Sequence, residues 1–121
     1  MNILIVDDNK EFREAFKFIL QENFSGKYEN IYEAENGVQC LKLVKEHPVD
    51  IIFMDKQMPV MDGVEASKAI VDQYRNIRII AVSFHSELED IKSMLEAGAR
   101  NYLIKEEITP KSIANSLGIT L

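Results

Sequence analysis

"IIFMDKQMPVMDG", residues 51–63, opens with four apolar residues, stops them at Asp55, and follows with turn signals at Pro59 and Asp62–Gly63. A short apolar run closed in this way reads as a strand buried on both faces, the pattern of a parallel sheet under helices. Working outward, the same pattern recurs at 2–6 (NILIV), 49–54 (VDIIFM), 77–83 (IRIIAVS) and 101–104 (NYLI), while 27–34 (KYENIYEA) is a weaker, more polar strand suited to an edge. Between the runs, apolar residues return at helical spacing: Phe12, Ala15, Phe16, Ile19 and Leu20; Val38, Leu41 and Val44; Val64, Ala66, Ile70 and Val71; Leu88, Ile91, Met94 and Leu95. Each such stripe calls for a sheet to cover. Asn9, Asn36, Asp62 and Ser86 stand as N-caps before these helices, Gly26, Pro48 and Gly98 follow them, and a last short helix is expected near 109–117. Parallel neighbours need crossovers, and right-handed crossovers carry helices to both faces. The expectation is therefore an α/β fold, a doubly wound five-stranded parallel sheet with five helices, formed by one domain over 1–121.

Composition narrows the function. With 46% hydrophobic and 28% charged residues the chain reads as an ordinary globular domain, and its net charge of −6 argues against sequence-independent binding of nucleic acid or of an anionic membrane. The single cysteine, Cys40, falls in a helical apolar pattern and reads as a small core residue. No apolar run approaches a membrane span and no signal-peptide pattern follows Met1, so a cytoplasmic protein is expected.

In an open α/β sheet the ligand site lies beyond the carboxyl ends of the strands. Asp7 and Asp8 follow the first run, Asp55 the third, Ser83 the fourth and Lys105 the fifth. Singly, each has a plain reading: caps for the acids, a strand end for Ser83, a solvated lysine. Jointly they place three carboxylates and one ammonium on a single rim, an arrangement that repels itself without a cation. Oxygen donors without His or Cys partners suit magnesium, which often accompanies phosphate. A carboxylate so placed can attack phosphorus, with Lys105, Ser83 and the metal stabilising the charge that develops.

The pair Asp7–Asp8, the segment DKQMPVMDG at 55–63, Ser83 after its apolar run and GARNYLIK at 98–105 together resemble the receiver domain of bacterial two-component response regulators, over essentially the whole chain. The resemblance implies a flavodoxin-like receiver fold. It implies that Asp55 accepts a phosphoryl group from a histidine kinase, a phosphotransfer protein or a small phosphodonor. Asp8, Asp55 and the Gln57 backbone carbonyl would bind Mg2+ directly and Asp7 through water. Ser83 and Lys105 would contact the phosphoryl oxygens, and Tyr102 would change rotamer as Ser83 is drawn in; on spacing alone, a half-buried strand aromatic reads equally well. A switched face of the fourth helix, fifth strand and fifth helix would meet an output domain or a second copy, with Leu88, Ile91 and Tyr102 as candidate contacts. The domain would be a phosphoacceptor that assists its own phosphorylation and dephosphorylation rather than an enzyme.

Three positions depart from the family pattern. Lys56 replaces the usual apolar residue after the acceptor, its ammonium projecting over the site or into solvent. Phe84 follows Ser83 where a small residue is common, and either restricts access to the phosphoryl group or covers surface. Glu106 stands where proline is frequent. A haloacid-dehalogenase-type phosphatase would need an acid at position 57, which is Gln, and no GxGxxG or GxxxxGK[ST] loop occurs. The remaining alternative is a pseudo-receiver working unphosphorylated as an interaction module.

Overall fold

In the computed structural model, which describes residues 1–121, the four apolar runs and the more polar one become strands β1 (Asn2–Val6), β2 (Asn30–Ala34), β3 (Ile51–Met54), β4 (Arg78–Ser83) and β5 (Asn101–Ile104). They alternate with helices α1 (Lys10–Asn23), α2 (Gly37–Glu46), α3 (Gly63–Gln73), α4 (Leu88–Glu96) and α5 (Pro110–Leu117), with one 3-10 turn at Lys105–Glu107. All pairings are parallel in the order β2-β1-β3-β4-β5. The chain therefore leaves β1 in opposite directions to reach β2 and β3, which makes the β1/β3 boundary the switch point.

Side-chain alternation along the strands divides the core into two layers. Ile3, Ile5, Phe53, Ile80 and Val82 pack with Phe16 and Leu20 of α1 and Ile113 and Leu117 of α5. Leu4, Val6, Ile52, Met54, Ile79 and Ala81 pack on the other face with Cys40 and Val44 of α2, Ala66 and Ile70 of α3, and Met94 of α4. Burial lifts the pKa of the Cys40 thiol to about 12, so it behaves as a small apolar residue. No helix is long and apolar enough to cross a membrane.

Asn9, Asn36 and Asp62 cap α1, α2 and α3 by accepting from the backbone N–H groups of Phe12, Gln39 and Glu65. Ser86 does not cap α4. The helix starts one residue later, from Glu87, whose carbonyl accepts from Asp90 and Ile91 but whose side chain makes no capping bond. β2 begins at Asn30 rather than 27, because Gly26 turns the chain at φ +82° and Glu29 N–H is taken by the Met1 carbonyl before regular pairing starts. β3 starts at Ile51 and β4 at Arg78, each a residue or two inside its apolar run. β5, although apolar, is half-buried throughout, since it forms the second edge of the sheet.

The helical stripes are also narrower than their apolar residues suggest. Leu88 is 78% exposed, and Val38, Val71, Leu95 and Ala15 lie outside the core. α4 covers the sheet through Met94, its one buried residue, because it lies beside the edge strand β5.

Candidate functional site

Backbone pairing aims the carboxylates. Asp7 N–H donates to the Ala34 carbonyl at 3.0 Å and Asp55 N–H to the Val6 carbonyl at 2.9 Å, so both acids continue the ladder one step past β1 and β3 at the switch point. Each of Asp7, Asp8 and Asp55 offers an oxygen within 4.8 Å of the others. Lys105, just beyond β5, brings its Nζ to 2.5 Å from Asp7 Oδ2 and 3.8 Å from Asp55 Oδ2. The ammonium also lies 4.2 Å from the centroid of the Phe12 ring and 5.0 Å from that of Phe84, two favourable cation–π faces. Ser83 is buried at the end of β4, and its Oγ accepts from His85 N–H at 3.1 Å. Asp7, Asp8, Asp55, Ser83, Phe84 and Lys105 line a polar cleft of about 250 Å³ with Asn9, Gln57 and His85.

The cleft is short of positive charge. The Asp55 pKa is raised to about 7, first by burial, then by Asp7 and Asp8, against the lowering effects of Lys105 and of the hydrogen bond from Lys56 N–H. Asp7 Oδ2 is fully buried and has the Lys105 ammonium beside it but no hydrogen bond of good geometry. A buried carboxylate oxygen whose one partner is an ammonium, a neighbouring acid that resists ionisation and an all-oxygen donor set together fit a hard divalent cation.

The departures from the family pattern fall around this cleft. Lys56 does not extend freely into solvent; its Nζ contacts Asp90 Oδ1 in the first turn of α4 at 2.5 Å, and this ammonium holds the Asp90 carboxyl below the usual range. Phe84 is 57% exposed and forms the one apolar wall. Gln57 is exposed and its Oε1 lies 2.9 Å from His85 Nε2. The Tyr102 hydroxyl donates to the His85 carbonyl at 2.7 Å, which ties β5 to the loop before α4. Burial raises the Tyr102 pKa, partly offset by the Ser83 side chain.

Four participants escape a search along strand ends. His85 and Asp90 follow β4 by two and seven residues, and Phe12 reaches the site from α1. Arg13 is the fourth: it is buried, donates through a guanidinium N–H to the Asp7 carbonyl at 2.7 Å and pairs with Glu33 at 3.2 Å. Its signal is positional, since Arg13 lies three residues before Phe16 and seven before Leu20, on the buried face of α1.

Comparison with known proteins bears on the family and the fold. A family profile described as the response regulator receiver domain matches residues 3–117. The chain is 33% identical over 106 residues to the transcriptional regulatory protein DegU of Brevibacillus brevis, a match spanning 88% of this chain and 44% of DegU, so it covers under half of that relative's length. It is 39% identical over 103 residues to the chemotaxis protein CheY of Bacillus subtilis, spanning 85% of this chain and 83% of CheY. Among solved structures, the signal receiver domain of the response regulator NarL from Mycobacterium tuberculosis superimposes with a TM-score of 0.85 at 29% identity, over 96% of this chain and 91% of that one.

Proposed function

The chain belongs to the response regulator receiver domain family, and from that premise we propose that Asp55 is its phosphoacceptor, taking a phosphoryl group from a histidine kinase, a phosphotransfer protein or a small phosphodonor. One observation carries the reading: three carboxylates at the switch point lie within 4.8 Å of one another beside a buried lysine. A purely structural cluster would gain nothing from a carboxyl whose ionisation is held back to about pH 7.

In the transfer, an Asp55 carboxylate oxygen forms the new bond to phosphorus. The bond that breaks is the P–N bond of a phosphohistidine, releasing imidazole, or the P–O bond of acetyl phosphate, releasing acetate. Magnesium, held by the carboxylates of Asp8 and Asp55 and the Gln57 carbonyl with Asp7 behind water, would supply charge neutralisation for the phosphoryl oxygens. The chain's own residues do the rest. Lys105, fixed by Asp7 and by the Phe12 and Phe84 rings, presents an ammonium to an equatorial oxygen, and Ser83 offers a hydroxyl to another. Arg13 holds the Asp7 backbone, which keeps the first acid in register with the third.

The phosphorylated state would reshape the α4, β5 and α5 surface for an output domain or a second copy, with Tyr102 and the His85 loop as the moving parts. Mass spectrometry after incubation with acetyl phosphate and magnesium tests the reading. One labile phosphoryl adduct on the wild type and none on Asp55→Asn is expected; an unmodified wild type favours an interaction module that works without phosphorylation.

A further inference from the structure

Lys56 sits one residue past the acceptor, yet its ammonium is engaged elsewhere. Its Nζ pairs with Asp90 Oδ1 at 2.5 Å, and the two side chains are only 17% and 20% exposed. At the other end of this bond, α4 is lightly anchored. Glu87 offers no side-chain cap, Met94 is the helix's one buried residue, and Leu88 projects into solvent. The adjoining segment is held by the contact of His85 with Gln57 and by Tyr102. The Lys56–Asp90 pair is thus the side-chain tie between the first turn of α4 and the loop that carries the acceptor.

Resting on the phosphoacceptor reading, we propose that Lys56 is a positioning residue that couples the charge on Asp55 to the N-terminal turn of α4: its ammonium holds Asp90 in the unmodified chain, and a phosphoryl group on Asp55 competes with Asp90 for it. A phosphoryl group near −2 attracts an ammonium about twice as strongly as a carboxylate at equal distance. Lys56 can serve either anion because its own backbone is adjacent to Asp55 and its stem already spans to α4. Transfer of the ammonium leaves Asp90 unpaired and frees the uncapped turn, next to the exposed Leu88 and the half-buried Ile91. Asp90 in turn weakens the phosphorylated state, since coupling between two sites is reciprocal.

The competition gives the two partners opposite signs, which a passive structural tie does not. Beryllofluoride, with magnesium, serves as the phosphoryl mimic, and its affinity is measured for the wild type, Asp90→Asn and Lys56→Met. Asp90→Asn should bind about three- to tenfold more tightly, because Lys56 no longer has a rival anion, whereas Lys56→Met should bind no more tightly than the wild type. The amide resonances of residues 87–94 in unloaded Asp90→Asn should also move toward their positions in the loaded wild type. If amide dispersion shows Asp90→Asn to be unfolded, Asp90→Ser takes its place. Equal or weaker binding by the Asp90 variant, or tighter binding by Lys56→Met, overturns the coupling while leaving the phosphoacceptor reading intact. A wild type that takes up no beryllofluoride overturns both.

Discussion

Phe84 is the residue whose environment changes its meaning most. Its place after Ser83 leaves two readings open, an access wall or a surface cover. Its ring is more than half exposed, yet stands 5.0 Å from the Lys105 ammonium and forms part of the cleft lining. Hydrolysis of an aspartyl phosphate needs a water in line with phosphorus, opposite the Asp55 oxygen, so a ring beside that approach governs lifetime without touching the breaking bond. Phe84→Ala should shorten the phosphorylated state by about 10-fold, which corresponds to about 1.4 kcal/mol of barrier. Dephosphorylation rates in magnesium, compared with Lys56→Ala, check this; decay at the wild-type rate or slower returns the ring to surface packing. Asp7, Asp8, Asp55, Ser83 and Lys105 were legible because each follows an apolar strand. The partners of Lys56 were not, because the tie to Asp90 spans 34 residues and depends on where α4 begins.

Elements were legible where local chemistry acts alone and blurred where neighbours decide. The caps at Asn9, Asn36 and Asp62 need only their own first turns, and all three form. The start of α4 is different: Ser86, the better capping residue, makes no cap, and the helix begins after Glu87, whose side chain makes none either. Exposure of β5 depends on its edge position, which no single run of residues encodes. The loop from β3 to α3 shows how close packing constrains the site. A Cβ on Gly63 would fall 2.1 Å from the Asp55 carbonyl oxygen and 2.9 Å from Lys56 Cα, both backbone atoms, while Gly63 N–H bonds the Lys56 carbonyl at 2.8 Å. Gly63→Ala must therefore push the Asp55–Lys56 backbone away. A loss of roughly 2–4 kcal/mol is expected, together with weaker magnesium binding. Gly26→Ala meets no atom within 4 Å and pays only for its φ of +82°, about 1 kcal/mol, with magnesium affinity unchanged. Urea denaturation with and without magnesium separates the two; equal losses would mean that Gly63 does not set the position of Asp55.

For the molecule as a whole, the site is a source of instability that a bound cation would relieve. The Asp55 pKa is raised to about 7 in the folded chain from the 3.8 of a solvated aspartate, so between those pH values the native state binds more protons than the unfolded one. The sign follows: the Asp55 contribution is intact below about pH 4, stability falls as pH rises toward 7, and the curve flattens above that. The loss from this group is on the order of 2–4 kcal/mol. Asp55→Asn should remove most of that slope. Magnesium at pH 8 should restore roughly 1 to 3 kcal/mol by binding only the native state. Asp8→Ala removes a ligand and a repelling charge together, so it should abolish most of the magnesium gain while raising metal-free stability above that of the wild type. Urea unfolding across pH 4 to 8, with and without magnesium, measures all of these at once. A wild type whose stability does not fall with pH, or an Asp8→Ala variant that responds to magnesium as the wild type does, would mean that the three carboxylates are not held together as a cation site.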